Sequence, residues 1–169
     1  SSPSRGLGDV YKRQVFVQDF LSDLLYMVLT GKTETEVLEK ISDFRADFKA
    51  RPGWEKGSPK RANNMTKYTA AEEQKGKANM PGHVRASMNW NRCREMYGDK
   101  YSMPITDGAK VIVCKLKNNP LGYTSIAYPV DEMRIPEWFK ELPFDGDAME
   151  ATILCLLYTS DAADDLVGV

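Results

Sequence analysis

VFVQDFLSDLLYMVLTGKTETEVLEKISDFRADFKA, residues 15–50, sets the class of fold. Phe16, Phe20, Leu24 and Met27 or Val28 recur at helical spacing, with Asp19 and Asp23 on another face. A core-facing helix ending at Gly31 is predicted. Thr33-Glu34-Thr35-Glu36 reads as a capping box, and Val37, Ile41, Phe44 and Phe48 follow at i, i+4, i+7 and i+11. A second amphipathic helix is therefore expected to about Ala50, where Pro52-Gly53 stops it. Joined by a tight glycine turn, the two should form an antiparallel helical hairpin. Asp19, Asp23, Glu36, Glu39, Asp43 and Asp47 could suggest metal or acid–base chemistry. Polar faces of amphipathic helices carry such residues by default, so they are read as solvated.

Downstream the periodicity changes twice. From Pro52 to Pro81 it dissolves into Gly, Pro, Asn, Ser and Lys, which predicts an irregular surface segment. His83 to Tyr97 is helical again, with Val84, Met88, Cys93 and Met96 on an apolar face and Arg85, Asn89, Asn91, Arg92 and Arg94 elsewhere. Trp90 fits the core by its spacing, with stacking on an unpaired base as the alternative. Beyond the Asp107-Gly108 turn signal, Lys110 to Leu116 is apolar and β-branched enough for a strand. Asn119-Pro120-Leu121-Gly122 is a turn leading to a second strand, Tyr123 to Tyr128. A helical turn is expected at Glu137 to Glu141, and a helix capped by Asp145 from Ala148 to Leu154. The predicted class is α+β: a mainly helical domain with a small antiparallel β-hairpin.

Charge is distributed unevenly along this plan. The whole chain carries a formal net charge of -1, yet Lys49 to Arg94 holds 11 basic residues against 3 acidic ones. A local excess of this size marks a surface facing a polyanion, with nucleic acid as the leading candidate. Within it Ser58, Asn63 and Asn64 offer short hydrogen-bonding side chains, Lys60, Arg61 and Lys67 offer charge, and Tyr68 a flat ring. That mixture suits phosphate and sugar contacts, which position a duplex without reading its sequence; a basic linker is the other reading. A helix opening at His83 presents backbone N–H groups to an anion, although His83 could instead cap the helix or lie buried and hydrogen-bonded.

Composition bounds the rest. The 169 residues, 42% apolar and 28% charged, are ordinary for a globular chain. With one histidine and cysteines far apart, no metal site or disulfide framework is expected. Gln18, Asp19, Ser22 and Asp23 interrupt the one long apolar run, so no membrane span is predicted. Both ends are unusual. Asp9 to Gln14 can be encoded by GAT GTG TAT AAG AGA CAG, and Cys155 to Ser160 by TGT CTC TTA TAC ACA TCT, nearly its reverse complement. These strings, with their flanks, resemble translated sequencing-library adapter. Residues 1–14 and 155–169 are accordingly set aside, and residues 15–154 are expected to be an internal piece of a longer protein.

Several ordered motifs then become specific. Ser58-Pro59-Lys60-Arg61-Ala62-Asn63-Asn64-Met65-Thr66-Lys67-Tyr68, His83-Val84-Arg85-Ala86-Ser87-Met88-Asn89-Trp90-Asn91-Arg92 and Gly108-Ala109-Lys110-Val111-Ile112-Val113 closely resemble the carboxy-terminal part of family-B replicative DNA polymerases of tailed bacteriophages. Asn118 to Gly122 and Ser125 to Pro129 fit the same pattern in the same order. The resemblance implies a helical hairpin at the end of the palm and start of the thumb over residues 15–50, and a DNA-binding thumb over residues 51–154. The thumb of that family grips the primer-template duplex through backbone and minor-groove contacts. Ser58, Asn63, Asn64, Lys67 and Tyr68 would then lie on the backbone-contacting loop, with His83, Arg85 and Asn91 on or beside its supporting helix; Lys60, Arg61 and Arg92 complete the expected DNA-binding set. Glu72 and Glu73 depart from the family pattern and fall in what looks like an inserted loop.

The resemblance also implies what this piece lacks. Polymerases transfer nucleotides with paired carboxylates that hold two metal ions, and the family's palm aspartates lie upstream of residue 15. The two magnesium ions are therefore expected in the parent palm, with no catalytic residue, metal or cofactor here. Expected partners are the duplex, the remainder of the polymerase chain and a sliding clamp reached through a tail absent here, in the cytoplasm of an infected bacterium. A free-standing basic nucleic-acid-binding accessory protein is the alternative, and a module that meets an acidic protein is a third.

Overall fold

Thr33 shows how closely the first third of the chain follows its local code. Its Oγ1 accepts the Glu36 N–H at 3.3 Å, while its own N–H donates to Glu36 Oε2 at 2.9 Å, closing both halves of a capping box. The helix it starts, α2, spans Glu34–Ala50. The computed structural model of the chain describes residues 16–17, 19–68 and 80–159. Helix α1, described at 16–17 and 19–29, ends with Lys32 N–H donating to Met27 O at 3.0 Å and Gly31 N–H to Val28 O at 3.2 Å. This paired closure requires the left-handed backbone that Gly31 supplies at φ 74°.

The two helices form the expected antiparallel hairpin. Phe44 of α2 stacks on Phe20 at 3.7 Å and on Phe16 at 5.3 Å between ring centroids. Lys40 reaches back across the pair to Asp23 at 3.3 Å. Phe20, Leu24, Val37, Phe44 and Phe48 are buried along the seam. Arg51, just past α2, lays its guanidinium 3.6 Å over the Phe16 ring between the carboxylates of Asp47 and Glu55.

The sheet holds one strand more than the sequence predicts. Strands β1 (Ser58–Arg61), β2 (Lys110–Lys115) and β3 (Ser125–Pro129) run antiparallel in the order β1-β2-β3. The β2–β3 hairpin is the expected one, in register from Val111 opposite Pro129 to Lys115 opposite Ser125. Strand β1 corrects the expectation of an irregular run over residues 52–81. Its SPKR sequence has no strand pattern, and it forms because β2 offers a free edge, pairing Ser58 with Val113 and Arg61 with Lys110. A proline is tolerated there because an edge strand bonds on one side only. Gly57 leads into it at close quarters: a Cβ there would lie 2.5 Å from Ile112 Cγ2 and 2.7 Å from both Cys114 Sγ and Val113 O.

Val111 and Ile112 point to opposite faces by the pleat, and both are buried, so β2 is covered on two sides. Helix α4 (Gly82–Met96) packs mainly on β3 and also on β2, while α6 (Gly146–Thr159) meets β2 and α2. Between them α5 (Glu137–Lys140) brings Phe139 into the core. Asp145 Oδ1 accepts the Ala148 N–H at 3.0 Å, the expected cap. Helix α6 begins two residues before the predicted start and continues past Leu154 into the adapter-like segment. The Asn119–Gly122 turn is closed by Gly122 N–H donating to Asn119 O at 3.1 Å, and Asn119 Nδ2 ties the strand ends through Lys117 O and Tyr123 O.

Trp90 is fully buried in α4, with Trp138 and Phe139 at 5.2 and 5.4 Å between centroids. Its indole N–H donates to Met103 O at 2.9 Å. The core reading of this tryptophan holds and base stacking does not. Two assignments on α4 are corrected: Met96 is 54% exposed, and Asn89, expected on the polar side, is buried with Nδ2 donating to Ser125 O. A sheet on one side and the 99–106 loop on the other leave α4 no broad polar face. Cys93 and Cys114 are free and buried; burial pushes the Cys93 thiol up to about 11 and Cys114 higher still, so neither is a nucleophile near neutrality.

Candidate nucleic-acid interface

The chain after β1 is held in a defined shape by backbone bonds. Ala62, fully buried, donates its N–H to Ala109 O at 2.9 Å and accepts the Gly108 N–H at 2.7 Å. Asn63 and Asn64 then turn the chain, Asn64 in the left-handed region at φ 64° that asparagine tolerates better than most residues. A short helix follows, α3, described over 65–68. Its first N–H, on Met65, donates to Asp107 Oδ1 at 3.2 Å, so the Asp107-Gly108 turn acts as the helix cap. The segment is clamped to the sheet by Ala62 below and Asp107 beside it.

What this clamp presents outward is cationic and amide-bearing. Lys60, Arg61, Asn63, Asn64 and Lys67 are exposed. Arg61 donates from Nη1 to Gly108 O at 3.3 Å, which fixes the side chain near the turn. Lys110, exposed on β2, stands directly opposite Arg61 in the register. Like charges opposed across a strand pair repel. Among the described residues, none of Lys60, Arg61, Lys67 and Lys110 forms an ion pair with a carboxylate. Lys110 is the member that sequence reading missed, since only the pairing of β1 with β2 brings it to this surface.

The other candidates divide. Ser58 is half-buried in the ladder opposite Val113, and Tyr68 is half-buried against the core with Lys67 Nζ 6.0 Å from its ring. Both stand at the border of the exposed group. Helix α4 lies over β3, two strands from β1, so its residues belong to a different layer. Arg85 and Arg92 are exposed there, two turns apart on one side. His83 is half-buried in the first turn, its carbonyl accepting Ser87 Oγ at 2.8 Å; the residue before the helix is Pro81, which has no capping side chain. Asn91 is turned inward. Its Nδ2 donates to Ile105 O at 2.9 Å and its Oδ1 accepts the Ile105 N–H at 2.8 Å, which occupies both ends of the amide in holding the 99–106 loop. Glu72, Glu73, Lys75 and Lys77 lie outside the described residues.

That loop is heavily bonded. Asp99 accepts from the Trp138 indole, the Ser102 hydroxyl, and the N–H groups of Tyr101 and Ser102. Burial pushes its carboxyl up, but these four donors outweigh it and hold the group at about 2. Arg94 donates to the Ser102 hydroxyl and carbonyl, so it too is structural. Two of the 11 basic residues, Arg51 and Arg94, are thereby committed to internal contacts.

Among the described residues no group of three or more His, Cys, Asp or Glu side chains is arranged to hold a metal ion. This includes the acids facing the α1–α2 groove, Asp19, Asp23, Asp43 and Asp47, where Lys40 already offsets one charge. Also among the described residues, no helix is long and apolar enough to cross a membrane. No protein-family model matches the chain, and no curated protein matches it in sequence.

Proposed function

We propose that this chain is the palm-proximal and thumb part of a tailed-phage family-B replicative DNA polymerase, and that it grips the primer-template duplex through sequence-independent backbone contacts. The observation that carries the reading is the clamped segment 61–68. It carries exposed Arg61, Asn63, Asn64 and Lys67, with Lys110 opposite Arg61 and exposed Lys60 just before it on β1, and among the described residues none of these four cations is ion-paired. A phosphate backbone supplies the missing negative charge, and short amides can donate to phosphate and sugar oxygens without selecting a base. The ordered motifs quoted above support the family assignment. On this reading nucleotidyl transfer belongs to palm carboxylates and two magnesium ions elsewhere in the parent, in the cytoplasm of the infected host, and the clamp meets the parent rather than this segment.

The test is a salt titration of duplex binding. Four phosphate contacts give a slope of about -3.6 in log K against log salt, a loss of about 150-fold between 50 and 200 mM. Replacing Lys60, Arg61 and Lys67 together with alanine should weaken binding and flatten the slope by about 2.7. An unchanged slope in the triple variant means that this surface does not touch phosphate.

A further inference from the structure

The opposite end of the β1–β2 pair carries a second cationic feature, made of residues with no sequence relation to one another. Lys56, just past a 3-10 turn at Gly53–Glu55, Lys117, just past β2, and Lys140, at the end of α5, line one open cavity of about 420 Å³. Its wall includes Gly146 and Asp147, the first residues of α6. Lys56 Nζ stands so close to that helix that a Cβ on Gly146 would lie 3.0 Å from it. The ammonium therefore sits at the end of α6 where the peptide dipoles already sum to a partial positive charge.

Little offsets this charge. Lys56 donates to Lys49 O at 3.5 Å and lies 5.3 Å from the Phe48 ring centroid. Lys140 is ion-paired with Glu137 Oε1 at 3.5 Å on its own short helix and has a ring neighbour in Trp54. Among the described residues neither Lys56 nor Lys117 has an ion-pair partner. Asp147 is the one acid in the cavity wall against three lysines. Three lysines from separate elements line this one cavity, and an anion bound there would offset their mutual repulsion.

We propose that this three-lysine cavity binds a phosphoryl group. Lys56, Lys117 and Lys140 neutralise its charge, and the α6 terminus adds potential without being the site by itself. The same chemistry serves a nucleic-acid phosphodiester or a free phosphate. The inference does not depend on the 61–68 surface, which lies at the other end of β1.

The test is an amide chemical-shift titration of the full chain with inorganic phosphate at constant ionic strength, followed by a short DNA duplex. Saturable shifts at Gly146 and Asp147 are expected. Lys117→Ala/Lys140→Ala, both exposed positions, should raise the phosphate Kd at least tenfold, whereas the Lys60, Arg61 and Lys67 triple variant should leave it unchanged. Asp147→Asn removes the opposing charge and should tighten binding. Phosphate shifts that do not saturate, or a Kd equal in the double-lysine variant, overturn the proposal. Duplex shifts at the same amides assign the ligand to the nucleic-acid backbone; a response to phosphate without one to duplex assigns it to a free phosphate.

Discussion

Replacing Asn91 with alanine separates scaffold from interface in α4. The amide closes both backbone groups of Ile105, at 2.9 and 2.8 Å, and Ile105 is only 3% exposed. Each buried backbone group left without a partner costs about 1–3 kcal/mol. Asn91 itself is half-buried, so water can reach part of the vacated space, and the lower half of that range applies to each group. A loss of about 2–4 kcal/mol follows, which at a typical urea dependence of about 2 kcal/mol/M moves the unfolding midpoint down by roughly 1–2 M with an unchanged slope. Urea denaturation followed by tryptophan fluorescence reads it directly, because Trp90 is the preceding residue. Arg85→Ala, exposed on the same helix, should stay within about 0.5 kcal/mol of the parent. Because no charge is removed, Asn91→Ala should keep the salt slope of duplex binding. An Asn91→Ala protein as stable as the parent but weaker for duplex would refute the argument and make Asn91 a nucleic-acid contact.

Other positions give independent checks. Asp99 sits well below its ordinary value, at about 2, so its interactions stabilise the fold above the unfolded carboxylate range and are lost as pH falls from about 4 through about 2. Asp99→Asn should remove that part of the acid dependence, seen as a flatter plot of unfolding free energy against pH over this window. Gly57→Ala forces a Cβ to within 2.7 Å of Val113 O, a backbone atom that cannot swing away, and should destabilise by about 1–3 kcal/mol in the same urea assay. Thr33→Ala opens the capping box and should cost about 1 kcal/mol, with a matching fall in hydrogen-exchange protection at the first turn of α2.

The α1–α2 hairpin was legible residue by residue because every signal in it is local: a 3.6-residue apolar period, a capping box read at i and i+3, and a glycine at the turn. The β2–β3 hairpin was legible for the same reason, with its turn residues bracketed by apolar runs. Strand β1 was not, since SPKR has neither alternation nor β-branched residues and acquires strand geometry only from the free edge of β2. Two revisions to the candidate interface likewise rest on contacts far apart in the chain. Lys110 joins it from 49 residues beyond Arg61 because the register sets them opposite each other, and Asn91 leaves it because a loop folds back across α4 to take both ends of its amide. The sequence by itself determined the helical majority, the hairpin turns and the concentration of positive charge, all properties of neighbours along the chain. Only the tertiary structure decided which of those charges and amides face solvent, which hold loops in place, and which lysines from separate elements share a cavity, because those depend on contacts between residues far apart in the chain.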